Sequence, residues 1–148
     1  METPATQIIS VLNAYAAAVL DKDVDAFMAL YDDEVCIFDL WAEWSYDGAT
    51  AWRAVVEDWF GSLDNERVVV IFNDVRTIVT PDLAVAYAFV TYRAESPAGI
   101  FLRALTNRMS MSLRQKEGAW KIVHEHTSAP ADFNTSKVIL QRKAVQGV

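Results

Sequence analysis

Arg108–Ser128 reads RMSMSLRQKEGAWKIVHEHTS, and its alternation decides how the chain folds. Met109, Met111 and Leu113 alternate with Arg108, Ser110, Ser112 and Arg114. Trp120, Ile122, His124 and His126 alternate with Lys121, Val123, Glu125 and Thr127. Successive strand side chains point to opposite faces, so each run has one apolar and one polar face. With Glu117-Gly118 as a two-residue turn, Leu113 faces Ile122, Met111 faces His124 and Met109 faces His126. This register makes the apolar faces coincide, whereas a one-residue slip mixes them. It predicts that both histidines lie on the covered, concave face.

Upstream of this hairpin, the β-branched run from Arg67 to Val79 reads as a strand with a bulge or bend at Asn73-Asp74. A turn at Pro81-Asp82, a strand from Leu83 to Arg93 and a turn at Ser96–Gly99 follow. The last two strands span about Phe101 to Arg114 and Ala119 to Ser128. The N-terminal part is helical. Ile8, Val11, Leu12, Tyr15, Ala18 and Val19 fall on one face of a helix over about Pro4–Leu20, capped by Thr3. Asp23 caps a short second helix with Ala26, Phe27, Leu30 and Tyr31 as its apolar face, ended by Asp32-Asp33. VCIFDLW, from Val35 to Trp41, reads as a strand buried on both faces. After a turn at Tyr46-Asp47-Gly48, Ala49–Leu63 reads as a third helix with Trp52, Val55, Val56, Trp59 and Phe60 inward.

Helices first and consecutive strands afterwards indicate an α+β fold, with an antiparallel sheet covered on one face by three helices. Residues 1–130 form one domain, and 131–148 are a C-terminal extension, either frayed or an arm for a partner. The 148 residues are 53% hydrophobic with a formal net charge of −7, which suits a globular core and excludes disorder. Basic residues are scattered, so no nucleic-acid partner is expected. No apolar stretch reaches bilayer length and METPATQ lacks a signal-peptide pattern, so the expectation is no membrane and a cytoplasmic location. The single cysteine, Cys36, reads as a buried small hydrophobe. Phosphate loops, nucleophile elbows and nucleotide fingerprints are absent, and no cofactor is implied.

Two segments carry a family likeness: AYAAAVLDKDVDAFMALYDDEVCIFD (Ala14–Asp39) and EGAWKIVHEHTSAP (Glu117–Pro130). With them the chain resembles the SnoaL-like and ketosteroid isomerase-like proteins of the nuclear transport factor 2-like superfamily. The resemblance implies a cone of curved sheet and three helices with a ligand cavity in its open end. It also implies a homodimer formed through the outer sheet face. In ketosteroid isomerases an aspartate serves as general base and a tyrosine donates to the developing oxyanion; these positions match Asp39 and Tyr15. The second oxyanion donor falls at about Met111, whose thioether donates no hydrogen bond. A related but different proton-transfer site, using His124, is the reading this leaves.

On the residues themselves, Asp39 sits among apolar neighbours, so it is either a base with a raised pKa or a carboxylate capping a strand end. Tyr15 is an oxyanion donor or a core tyrosine bonded to backbone. His124 is the expected acid/base or orienting group, and His126 a ligand contact or structural histidine. Two imidazoles do not make a closed metal site, and no metal is expected. Trp41 and Trp44, with Tyr46, form a pocket rim or a plug over the cone. Trp59, Met109 and Met111 are expected to line an apolar wall. The leading function is therefore proton transfer on a small apolar or aromatic carbonyl compound. The alternative is a non-catalytic ligand-binding or oligomerisation module, since EGAWKIVHEHTSAP also resembles the association domain of calcium/calmodulin-dependent kinases.

Overall fold

The computed structural model describes residues 2–143. Helix α1 (Pro4–Asp21) starts at Thr3, whose hydroxyl accepts from the Thr6 amide at 3.1 Å, with Pro4 in the first turn. Helix α2 (Val24–Met28) is capped by Asp23, which accepts from the Ala26 amide at 3.0 Å. Strand β1 (Tyr31–Phe38), the short β2 (Tyr46–Asp47) and α3 (Ala49–Ser62) follow. The remaining strands are β3 (Arg67–Val79), β4 (Leu83–Glu95), β5 (Phe101–Lys116) and β6 (Ala119–Ser128).

The six strands form one curved open sheet in the order β2-β1-β6-β5-β4-β3. All neighbours are antiparallel except β1 and β6, which run parallel. The three helices cover one face, and the core lies between: Ile8, Leu12 and Val19 of α1, Phe27 of α2, Val56 and Phe60 of α3, and Met111, Leu113 and Ile122 of the sheet. A hydrogen bond of 2.9 Å from the Trp120 indole to Gln7 ties α1 to β6.

Two expectations are corrected here. Tyr31 and Asp32-Asp33 belong to β1, not to the second helix, which is only five residues long. β1 is buried on one face only: Val35 and Ile37 are fully buried, while Phe38 is 41% exposed. Its outward side chains lie on the sheet face that no helix covers.

The last hairpin turns at Glu117 and Gly118, both with positive φ (51° and 81°), the geometry of a tight two-residue turn whose twist matches the strands. Leu113 pairs with Ile122 as the alternation requires. The register then shifts: Ser112 pairs with His124, so Val123 is the extra residue of a bulge. Beyond it, Met111 faces Glu125 and Met109 faces Thr127. The bulge inverts the inward set of β6 from His124 and His126 to Glu125 and Thr127. A second bulge interrupts β3 between Asn73 and Arg76, where Asp74 has a φ of 55°.

Deleting Val123 should remove the bulge and leave Ile122, Glu125 and Thr127 on the inner face, because His124 then follows Ile122 directly and points outward. Urea unfolding should stay cooperative with both imidazoles still outside; an imidazole found in the core of this variant would contradict the assignment of Val123 as the extra residue. Val123→Thr keeps the residue count and should unfold cooperatively within about 1 kcal/mol of the parent.

Candidate functional site

Between the sheet, α1, α3 and the C-terminal segment lies a cavity of about 550 Å³. That volume is in the range of small-molecule sites. Its wall is largely aromatic: Tyr15 from α1, Trp41 and Tyr46 from the stretch after β1, Trp52 and Trp59 from α3, and Tyr92 from β4. Polar groups enter at few points, namely Asp39, Asn107, Arg103, Glu125, Thr127 and Gln141.

Asp39 lies one residue past the end of β1. Thr127 donates its hydroxyl to Asp39 Oδ1 at 3.1 Å and accepts from the Leu40 amide at 2.9 Å. The Trp41 amide reaches Asp39 Oδ2 at 3.4 Å. Burial raises the Asp39 pKa, and the hydrogen bond from Thr127 and the backbone amides oppose that rise only in part. Glu125 is buried outright, with 1% of its surface exposed. Tyr31 donates to Glu125 Oε1 at 2.6 Å. Desolvation pushes Glu125 up to about 7; the Tyr31 bond lowers it and the nearby Asp39 charge raises it further. Tyr15 and Tyr92 share a hydrogen bond of 2.8 Å between their hydroxyls. Both phenols are held well above their ordinary pKa by burial, so both stay protonated. One hydroxyl donates to the other, which leaves one proton of the pair free to donate elsewhere.

The expected site residues divide cleanly. Asp39, Tyr15, Trp41 and Trp59 line the cavity. His124 and His126 do not, because the Val123 bulge turns them to the outer face. There His124 Nδ1 lies 2.7 Å from the Cys36 carbonyl, and the Phe38 ring meets His124 and His126 edge-on at 4.9 and 5.6 Å. Met109 and Met111 are buried with Leu12 and Phe72 in the solid core rather than at the cavity. Trp44 is 96% exposed and touches no part of it. Arg103 makes two hydrogen bonds to Glu66 at 3.2 and 2.7 Å and also borders the cavity. Among the described residues, no three His, Cys, Asp or Glu side chains converge as a metal site.

Glu125, Thr127, Tyr92, Asn107 and the tail residues were not anticipated. A signal for the first two exists: Ile122 and Val123 are consecutive apolar residues, a break in alternation that a strongly curved strand resolves by bulging. Asn107 continues the inward parity of Met109 and Met111. Leu140 and Gln141 had no signal. They reach the cavity because the Leu140 carbonyl accepts from the Thr106 amide at 2.8 Å and Gln141 donates to the Ala104 carbonyl at 2.7 Å. After Pro130 the chain first folds back on itself, with Ala131 bridged to Val138, and Leu140 and Gln141 then lie beside β5 beyond the end of β6.

Residues 8–132 match the model of the SnoaL-like domain, and the chain belongs to that family. No curated protein matches it in sequence. Among solved structures it is similar to an NTF2-like protein of unknown function from Pseudomonas putida. That likeness has 25% identity and a TM-score of 0.83, covering 97% of this chain and 100% of the other. It also shares its fold with a putative calcium/calmodulin-dependent protein kinase II association domain from Xanthomonas campestris (15% identity, TM-score 0.73, 87% and 89% covered). A third is Aln2 from a Streptomyces species (13% identity, TM-score 0.74, 86% and 93% covered). The SnoaL-like fold is a small-molecule-binding fold, and no helix among the described residues is long and apolar enough to cross a membrane.

The raised Glu125 pKa carries a stability consequence. The native state holds this proton up to about pH 7, while an unfolded glutamate releases it near 4.5. The resulting stabilisation is complete below pH 4.5, falls as pH rises, and is gone above about pH 7. It amounts to roughly 3 kcal/mol over that window. Glu125→Gln should remove this component, so its urea midpoint should change less between pH 5 and pH 8 than that of the parent protein.

Proposed function

We propose that this protein binds a small, mostly apolar carbonyl compound in the cone and transfers a proton on it, as an isomerase, cyclase or dehydratase does. The observation that carries this reading is the pair of desolvated carboxylates, Asp39 and Glu125, in one aromatic-walled cavity. Environments that separate two carboxyl pKa values supply an acid and a base at the same pH. Asp39, hydrogen-bonded by Thr127 and two backbone contacts, is the base that takes a proton from the carbon beside the carbonyl. Glu125, held near neutrality, is the acid that returns a proton to the ligand. The Tyr15–Tyr92 pair donates its free proton to the oxygen on which negative charge develops. His124 takes no part in this scheme, since it lies on the other side of the sheet.

Exchange of the α-hydrogens of a tetralone for solvent deuterium, followed by NMR, measures this activity without knowledge of the natural substrate. Asp39→Asn should slow catalysed exchange by about 10²–10⁴-fold while the protein still unfolds cooperatively. The rate in the parent should fall above about pH 7, where Glu125 loses its proton. Unchanged exchange in Asp39→Asn rejects the assignment.

We further propose that two copies associate through the uncovered outer face of the sheet. Exposed Ile71 and Tyr87 on β3 and β4 support this. Ser112, which pairs with Val85 and His124 near the middle of that face, is the test position. Ser112→Arg should reduce a dimeric mass in light scattering to that of the monomer; a mass unaffected by the substitution counts against this face.

A further inference from the structure

Asn107 lines the cavity, is 5% exposed, and its carboxamide oxygen is buried without any hydrogen-bond partner. Leaving such a group unpaired is costly, so a folded protein retains one where something else satisfies it. Two other described side-chain atoms share this state. Arg93 Nε lies 3.1 Å from Glu95, which compensates it electrostatically. The indole nitrogen of Trp52 is the other, and it faces the hydroxyl of Tyr31. Of these three, the Asn107 oxygen alone has no compensating neighbour, and Asn107 borders the cavity.

The charges narrow the ligand further. Asp39 and Glu125 contribute negative or neutral carboxyls, and Arg103, the one basic residue lining the cavity among the described residues, is already clamped by Glu66. Nothing free in the cavity compensates an anion, and desolvating an uncompensated anion is costly. We infer that Asn107 is a recognition residue for a hydroxyl or similar donor on the ligand, and that the ligand is a neutral hydroxylated carbonyl compound rather than a carboxylate. The carbonyl oxygen meets the free proton of the tyrosine pair. The hydroxyl meets Asn107. This rests on the cavity being the ligand site proposed above, and names the class of molecule that enters it.

Calorimetric titration of the full chain with four bicyclic probes tests the inference. The probes are a phenolic hydroxytetralone, the tetralone lacking the hydroxyl, the tetralin phenol lacking the ketone, and a tetralone carboxylate. At pH 6.5 the hydroxytetralone should bind roughly tenfold more tightly than either single-function probe, and the carboxylate should bind more weakly still. Asn107→Leu should erase the preference for the hydroxyl while leaving tetralone affinity within about twofold. Equal affinities for hydroxytetralone and tetralone in the parent, tighter binding of the carboxylate, or no binding of any probe would each overturn the inference. These parent measurements decide it even if Asn107→Leu fails to fold. Deuterium exchange on the same samples keeps the two ideas separate. Hydroxyl selectivity without exchange supports this ligand class and removes the proposed chemistry. Exchange without selectivity does the reverse.

Discussion

Water is scarce around Glu125, and that scarcity is the constraint on which the site depends. A carboxyl with almost no exposed surface and one phenolic donor is held between its two protonation states near neutrality. The same desolvation acts more mildly on Asp39, where Thr127 and the Trp41 amide stabilise the ionised form. Two groups of one chemical type thus receive different acidities from their surroundings alone. The tyrosine pair, protonated for the same reason, adds a hydrogen-bond donor that needs no reorganisation.

Sheet curvature is what delivers these groups. A flat sheet facing the three helices would fill its interior with side chains. Bulges in β3 and β6 bend the long strands and leave a hollow at one end, while Met109, Met111, Leu113 and Ile122 fill the other. The bulge at Val123 does two things at once: it bends β6 and it selects which polar residues face inward. Glu125 and Thr127 enter the site, and the histidines go to the uncovered face beside Phe38.

The C-terminal segment adds a wall beyond the part of the chain that matches the family model. That match ends at residue 132, yet Leu140 and Gln141 border the cavity and are hydrogen-bonded to β5. β6 stops opposite Arg108, so the edge of β5 beyond that point is open for the tail to occupy. Arg142 closes the same region from the outer side, over the Phe89 ring and within 3.2 Å of Asp74. The shape of the mouth is therefore set in part by residues outside the shared domain.

Alternation and helical spacing were enough to read the α+β class, the three helices, the β3 bulge at Asn73-Asp74, the tight turn at Glu117-Gly118 and the Leu113–Ile122 pairing. These are local properties, written in which side chains are apolar and where glycine permits positive φ. That Asp39 and Tyr15 border the cavity was legible because the likeness to a known family fixes their places after β1 and on α1. The remainder of the site was not local. Whether Glu125 or His124 faces inward depends on one extra residue, and the energy that places it belongs to sheet curvature and to Tyr31 across the core. Leu140 meets the cavity only through contacts with β5, far away in sequence. Sequence by itself determined which strands and helices form; the packing of strand on strand decided which acid is kept dry, because desolvation is a property of the assembled interior.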